Sequence, residues 1–153
     1  MNRILKASKL LGLAIIIGLF ASACSCKCYN KAEKKTSSDI SIYDGDWHLI
    51  KIGSSNVKLS QDEQKISLTL TEGNSNFSGY SGCNRYFGAY TINEGELELG
   101  NAGVTMMACP DIDMSTERKY LDNLNKVDSY RIEDDTLYLS GRGRVLLTFV
   151  LGG

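Results

Sequence analysis

A chain of 153 residues with 17 basic and 18 acidic side chains, net charge −1, has the size of one ordinary domain plus a short appendage. Its charge is nearly balanced and forms no basic patch, which argues against nucleic acid as a partner. One histidine and five cysteines are thin material for zinc, which takes about four ligands at organised spacing, and no Gly-rich phosphate loop, nucleophile elbow or HExxH is present.

The chain opens on a leader. Residues 1–9 carry Arg3, Lys6 and Lys9 and no acid, and residues 10–20 (LLGLAIIIGLF) are an unbroken apolar run. Ala21, Ser22 and Ala23 follow, then Cys24. A basic start, a short apolar stretch and small residues before a cut site describe a secretory signal peptide over residues 1–23. The run falls short of the ~20 apolar residues a spanning helix needs. The competing reading, a buried helix in a soluble domain, is left nothing to pack on by the polar linker that follows. Small residues before Cys24 resemble a bacterial lipobox, although Ala21 stands where Leu is usual. That resemblance implies a diacylglycerol on Cys24, and two or more acyl chains anchor stably because each buried methylene contributes about 0.8 kcal/mol. Ser25 differs from the Asp of inner-membrane retention, so the expected location is the bacterial cell envelope, at the outer membrane. A plain secreted protein cut after Ala23 is the alternative.

Residues 24–40 are Lys- and Ser-rich and read as a lipidated flexible tether. Cys26 and Cys28 lie on it without an assigned role. Removal of the three leader cations leaves 14 basic against 18 acidic residues, net −4.

Residues 41–153 are expected to form one mainly β domain. Residues 46–52 place Trp47 and Leu49 on one face. Residues 65–71 (KISLTLT) alternate, with Ile66, Leu68 and Leu70 inward. Strands are also expected over 76–79, 88–92, 96–99, 129–132, 136–139 and 144–151, separated by turns such as Asn93-Glu94-Gly95 and Gly141-Arg142-Gly143. Tyr120, Leu121, Leu124 and Val127 recur at helical spacing and predict one amphipathic helix within 113–127. Five strands, a helix and three strands suggest a small barrel of about eight antiparallel strands with a helix covering an end or a side.

Cys83 and Cys109 are the domain's own cysteines. Export places them in an oxidising compartment, where paired cysteines become disulfides. Two separate buried thiols are the other reading. A catalytic thiol would want a partner base, and the sole histidine, His48, falls on a strand. Asp111/Asp113 and Glu133-Asp134-Asp135 could hold calcium but equally suit turns and a helix start. No metal, cofactor or catalytic residue is assigned.

The segments Gly45-Asp46-Trp47-His48-Leu49, Ser81-Gly82-Cys83-Asn84-Arg85-Tyr86-Phe87-Gly88-Ala89-Tyr90, Val104-Thr105-Met106-Met107-Ala108-Cys109-Pro110, Glu117 leading the helix, and Leu137-Tyr138-Leu139 together resemble the META domain family of HslJ-like heat-inducible lipoproteins. The likeness spans residues 43–151. It departs at Met106, where the family often has Arg. It implies a small barrel-like fold in an envelope lipoprotein tied to heat shock and antibiotic tolerance, with no established enzymatic activity. The expected function is a non-enzymatic structural or binding role, with Asn84, Arg85 and Tyr86, opposite Met106 and Met107, as the interaction surface for an envelope protein. A monomer is expected. A carrier of a small apolar ligand inside the barrel and a thiol-dependent enzyme are the alternatives. Tyr86, Phe87 and Tyr90 could instead fill the core.

Overall fold

Alternation of apolar and polar residues governs this architecture. The computed structural model describes residues 40–57, 64–109 and 114–152. The leader, Cys24, Cys26, Cys28, the tether up to Asp39, and Asp111 and Asp113 lie outside the described residues.

In chain order the strands are β1 (Trp47–Ile52), β2 (Ser55–Asn56), β3 (Ser67–Thr71), β4 (Asn76–Tyr80), β5 (Arg85–Asn93), β6 (Glu96–Leu99) and β7 (Gly103–Val104), then helix α1 (Met114–Leu124), then β8 (Ser129–Glu133), β9 (Thr136–Gly141) and β10 (Arg144–Leu151). All pairings are antiparallel, in the order β10-β9-β8-β6-β5-β4-β3-β1, and β10 pairs back to β1. Eight strands thus form a barrel-like ring, as the alternation predicts, and closure leaves no free edge between them. The two further strands, β2 and β7, are two-residue pieces that pair with β1 and β5.

Hairpin chemistry explains the short connections. Glu94 and Gly95 both have positive φ, as do Arg142 and Gly143. That is the geometry of two-residue loops whose twist matches the strands they join.

The ring interior is filled with side chains. Trp47, Leu49, Leu68, Leu70, Phe77, Tyr86, Leu97, Leu137, Leu139 and Phe149 are buried from the strands, and Tyr120 and Leu124 from the helix. Trp47 donates its indole N–H to the Ile42 carbonyl at 2.8 Å, pinning the N-terminal turn against the core. Tyr86, Tyr120 and Phe149 form a chain of edge-on rings. The Tyr86 and Tyr120 hydroxyls lie 2.6 Å apart, and Tyr86 donates to the Ser67 carbonyl at 2.7 Å. A buried hydroxyl needs such partners. Burial, reinforced by Tyr120, pushes the Tyr86 hydroxyl well above its ordinary pKa, and burial pushes Tyr120 up as well.

Candidate functional site

The segment Ser81–Arg85 carries the chain from β4 into β5. Gly82, with φ of 118°, makes the bend, and Ser81 N–H closes it on the Asn84 carbonyl at 2.8 Å. Strand β5 starts earlier than alternation over 88–92 suggests, at Arg85, so Arg85, Tyr86 and Phe87 obey strand parity. Tyr86 points inward. Arg85 and Phe87 point out.

Beneath the bend sits a buried carboxylate. Glu117, in the first turns of α1, is 4% exposed. Its oxygens accept from the Ser81 hydroxyl, from Asn84 N–H at 3.0 Å and from Asn84 Nδ2 at 3.1 Å. Burial alone would raise its pKa. The Ser81, Asn84 and Cys83 donors outweigh that and hold it below the usual carboxylate range. The near helix N-terminus also favours negative charge.

Asn84 works in both directions. Its Oδ1 accepts from Met107 N–H at 2.7 Å and from the Thr105 hydroxyl at 3.1 Å. Thr105 in turn accepts Arg85 N–H at 3.1 Å and donates its own N–H to the Arg85 carbonyl at 2.9 Å. One amide thus joins the bend, the helix and the 104–109 loop. The Cys83–Cys109 disulfide, with Cα atoms 6.1 Å apart, crosslinks the same parts. Of the two readings of these cysteines, the structure has the disulfide.

Two members of the expected interaction surface are therefore corrected. Asn84 is 5% exposed and Tyr86 1%. Asn84 is consumed by the clamp and Tyr86 by the core. Arg85 alone of the three faces solvent. Tyr90 is also core, whereas Phe87 is not: it is 61% exposed, and beside it Met106 is 99% and Met107 59% exposed. Phe87 pairs with Gly103, where a Cβ would meet its ring at 3.1 Å. Val104 is exposed in the next register position. The outcome is a shelf of Arg85 and Phe87 at the start of β5 with Met106 and Met107 on the clamped 104–109 loop; Val104, opposite Tyr86 in register, belongs to the other face. Tyr86, Gly88, Tyr90 and Ile92 carry a period of two that could have placed Tyr86 inside; the glycine hides it. Glu117 is one of the positions that carry the family resemblance, but its residue type and spacing alone read as an ordinary acid in a first helical turn.

His48 is half-buried on β1. Glu133, Asp134 and Asp135 sit at the β8–β9 hairpin, where Asp134 takes the positive φ.

The META domain model matches residues 40–152. An NMR structure of a protein from Burkholderia xenovorans is 30% identical, with 72% of this chain and 83% of that one covered at a TM-score of 0.58. A second NMR structure, 19% identical, covers 73% of this chain and 95% of its own at a TM-score of 0.56. The crystal structure of a DUF4847 family protein from Bacteroides vulgatus ATCC 8482, 13% identical, covers 72% and 94% at 0.51. The last two speak for the fold alone. None of the curated proteins compared with the chain matches it. From Ile40 to Gly152, then, the chain belongs to the META domain family.

Proposed function

We propose that this protein is a non-enzymatic lipoprotein of the bacterial envelope, anchored at Cys24, whose META domain acts as a contact module in stress and antibiotic tolerance. Its contact surface is the shelf of Arg85, Phe87, Met106 and Met107, and its partner is an envelope protein. The observation that carries this reading is the exposure of Phe87 on β5 and of Met106 and Met107 on a loop that is crosslinked and hydrogen-bonded into place. Solvent-exposed apolar side chains normally scatter; a cluster held rigidly is a feature of interaction sites. Methionine adds an adaptable, polarisable contact, and an aromatic beside an Arg suits an anchoring contact. The filled interior favours a contact role over the carrying of an apolar ligand, since Trp47, Phe77, Tyr86, Tyr120 and Phe149 occupy the space such a ligand would take.

The test is complementation of a deletion strain, scored for heat and drug sensitivity. Phe87→Ser combined with Met106→Ser should retain the wild-type melting temperature and lose tolerance. Full tolerance from that variant would remove the shelf from the reading. Cys24→Ser should release the protein from the membrane fraction; unchanged fractionation would remove the anchor.

A further inference from the structure

A second feature shares no residue with the shelf. Beyond the end of α1, Asp128 accepts the Arg142 N–H at 2.6 Å and fixes the β9–β10 turn beside Lys126. Lys126, Gly141, Arg142, Arg144 and Leu146 line an open cleft of about 460 Å³, within the usual size range of ligand sites.

Three observations set this cleft apart from ordinary surface. The first is charge. Residues 40–152 hold ten Lys and Arg against sixteen Asp and Glu, net −6. Three of those ten cations nonetheless line one cleft. Lys126 alone would be unremarkable after a helix C-terminus, but Arg142 and Arg144 arrive from a different element. Among the described residues none of the three is in an ion pair. Asp128 accepts from the Arg142 N–H and the Ser129 hydroxyl, and Glu96 lies opposite Ser129 in the register.

The second is a bulge. Val145 pairs with Ser140 and Leu147 with Leu139, so Leu146 is an extra, unpaired residue. Bulges re-aim side chains, and here the extra one supplies an apolar wall to a cationic cleft.

The third is Gly141. A Cβ there would lie 2.2 Å from the Lys126 carbonyl and 2.7 Å from Leu146 Cδ1. The approach of the helix exit to the hairpin, which shapes the cleft, requires a residue without a side chain.

We propose that the cleft binds the phosphate monoester group of an amphiphile. Two guanidinium forks and an ammonium take the phosphate oxygens, and Leu146 takes the adjoining apolar chain. Two planar guanidinium forks suit the several oxygens of a phosphate better than the two of a carboxylate.

The test follows the amide NMR signals of the ¹⁵N-labelled full chain. Dihexanoyl phosphatidic acid is added below its micelle concentration, with inorganic phosphate and dihexanoyl phosphatidylcholine as separate arms. Phosphatidic acid should move the amides of Arg142, Gly143, Arg144 and Leu146 saturably. Inorganic phosphate should move the same set with at least roughly tenfold weaker affinity, and phosphatidylcholine should not move it. Arg142→Gln with Arg144→Gln should weaken phosphatidic acid binding at least roughly tenfold while the rest of the spectrum stays in place. No saturable shift at these amides, or equal binding by the double variant, would overturn the site. Inorganic phosphate binding as tightly as the lipid would overturn the amphiphile in favour of free phosphate.

Discussion

Glu117 shows how much one side chain can organise. Its carboxylate is buried yet charged, because the Ser81 and Asn84 donors converge on it. Glu117→Gln keeps the shape and breaks the chemistry. A glutamine can accept at one position, but its NH₂ would then face Asn84 Nδ2, donor against donor. Asn84 cannot rotate its amide to help, since Oδ1 is committed to Met107 and Thr105. Hydrogen bonds to charged groups contribute about 1.5–3 kcal/mol, so the variant should lose about 2 kcal/mol in urea unfolding at pH 7. The pH dependence has a definite sign. A carboxyl whose folded pKa is depressed stabilises the fold above its unfolded value, about 4.3, and that contribution is lost as pH falls through the lower folded value. Wild type should therefore weaken from about pH 5 downward more steeply than Glu117→Gln. Parallel curves would show that Glu117 contributes no charge-linked stability. None of this is legible in the sequence, where 33 residues separate Asn84 from its acceptor; Glu117 reads there as a helix-start acid.

The strands were legible for a physical reason. Most of the eight ring strands bury one face, and burial of one face imposes alternation on the sequence; β8 has no fully buried residue and β10 buries Leu147, Thr148 and Phe149 in succession. Strands β2 and β7 have two residues each, too few to show a period, and exist because a longer neighbour pairs with them. Glycine obscured the start of β5, yet glycine is what the β3–β4–β5 packing demands. A Cβ on Gly79 would stand 2.0 Å from the Ser67 carbonyl and 2.5 Å from the Tyr86 hydroxyl. The carbonyl is main chain and cannot step aside, so Gly79→Ala should cost at least about 3 kcal/mol; a wild-type melting temperature would show that β3 and β4 can separate locally. The 104–109 loop is held twice, by the disulfide and by Asn84. The two restraints have separable readouts. Reduction removes a crosslink of 26 residues' separation, worth about 3.5 kcal/mol in the chain-entropy model, but leaves the Met107 amide hydrogen-bonded. Hydrogen exchange at Met107 should thus stay slow in the reduced protein at low temperature and become fast in Asn84→Ala. Fast exchange on reduction alone would make the disulfide the sole restraint.

Closure of the ring is uneven, and this determines where the molecule should open. Strands β9 and β10 share six register pairs, while β6 meets β8 at the single pair Glu96–Ser129. Beyond it, the seam has only Leu97 N–H to Asp128 O at 3.2 Å and Tyr130 N–H to Gly95 O at 3.0 Å. Local opening favours regions with few backbone bonds. The Leu97 and Tyr130 amides should therefore exchange on the order of 100-fold faster than the Phe149 amide. What opposes opening is the apolar surface it would wet, because Leu97 is fully buried. The helix adds a second restraint. It packs on β1 and β10, across the ring from the seam, and Glu117 ties its first turn to the bend before β5. The Cys83–Cys109 crosslink joins that bend to the loop after β7, which pairs with β5, so it does not bridge the β6–β8 junction. Reduction should speed exchange at Phe149, which is governed by global unfolding, while leaving the local opening at Leu97 and Tyr130 nearly unchanged. Equal protection at Leu97 and Phe149 in the oxidised protein would mean that the ring opens only as a whole, and that burial of Leu97 makes up for the missing register pairs between β6 and β8.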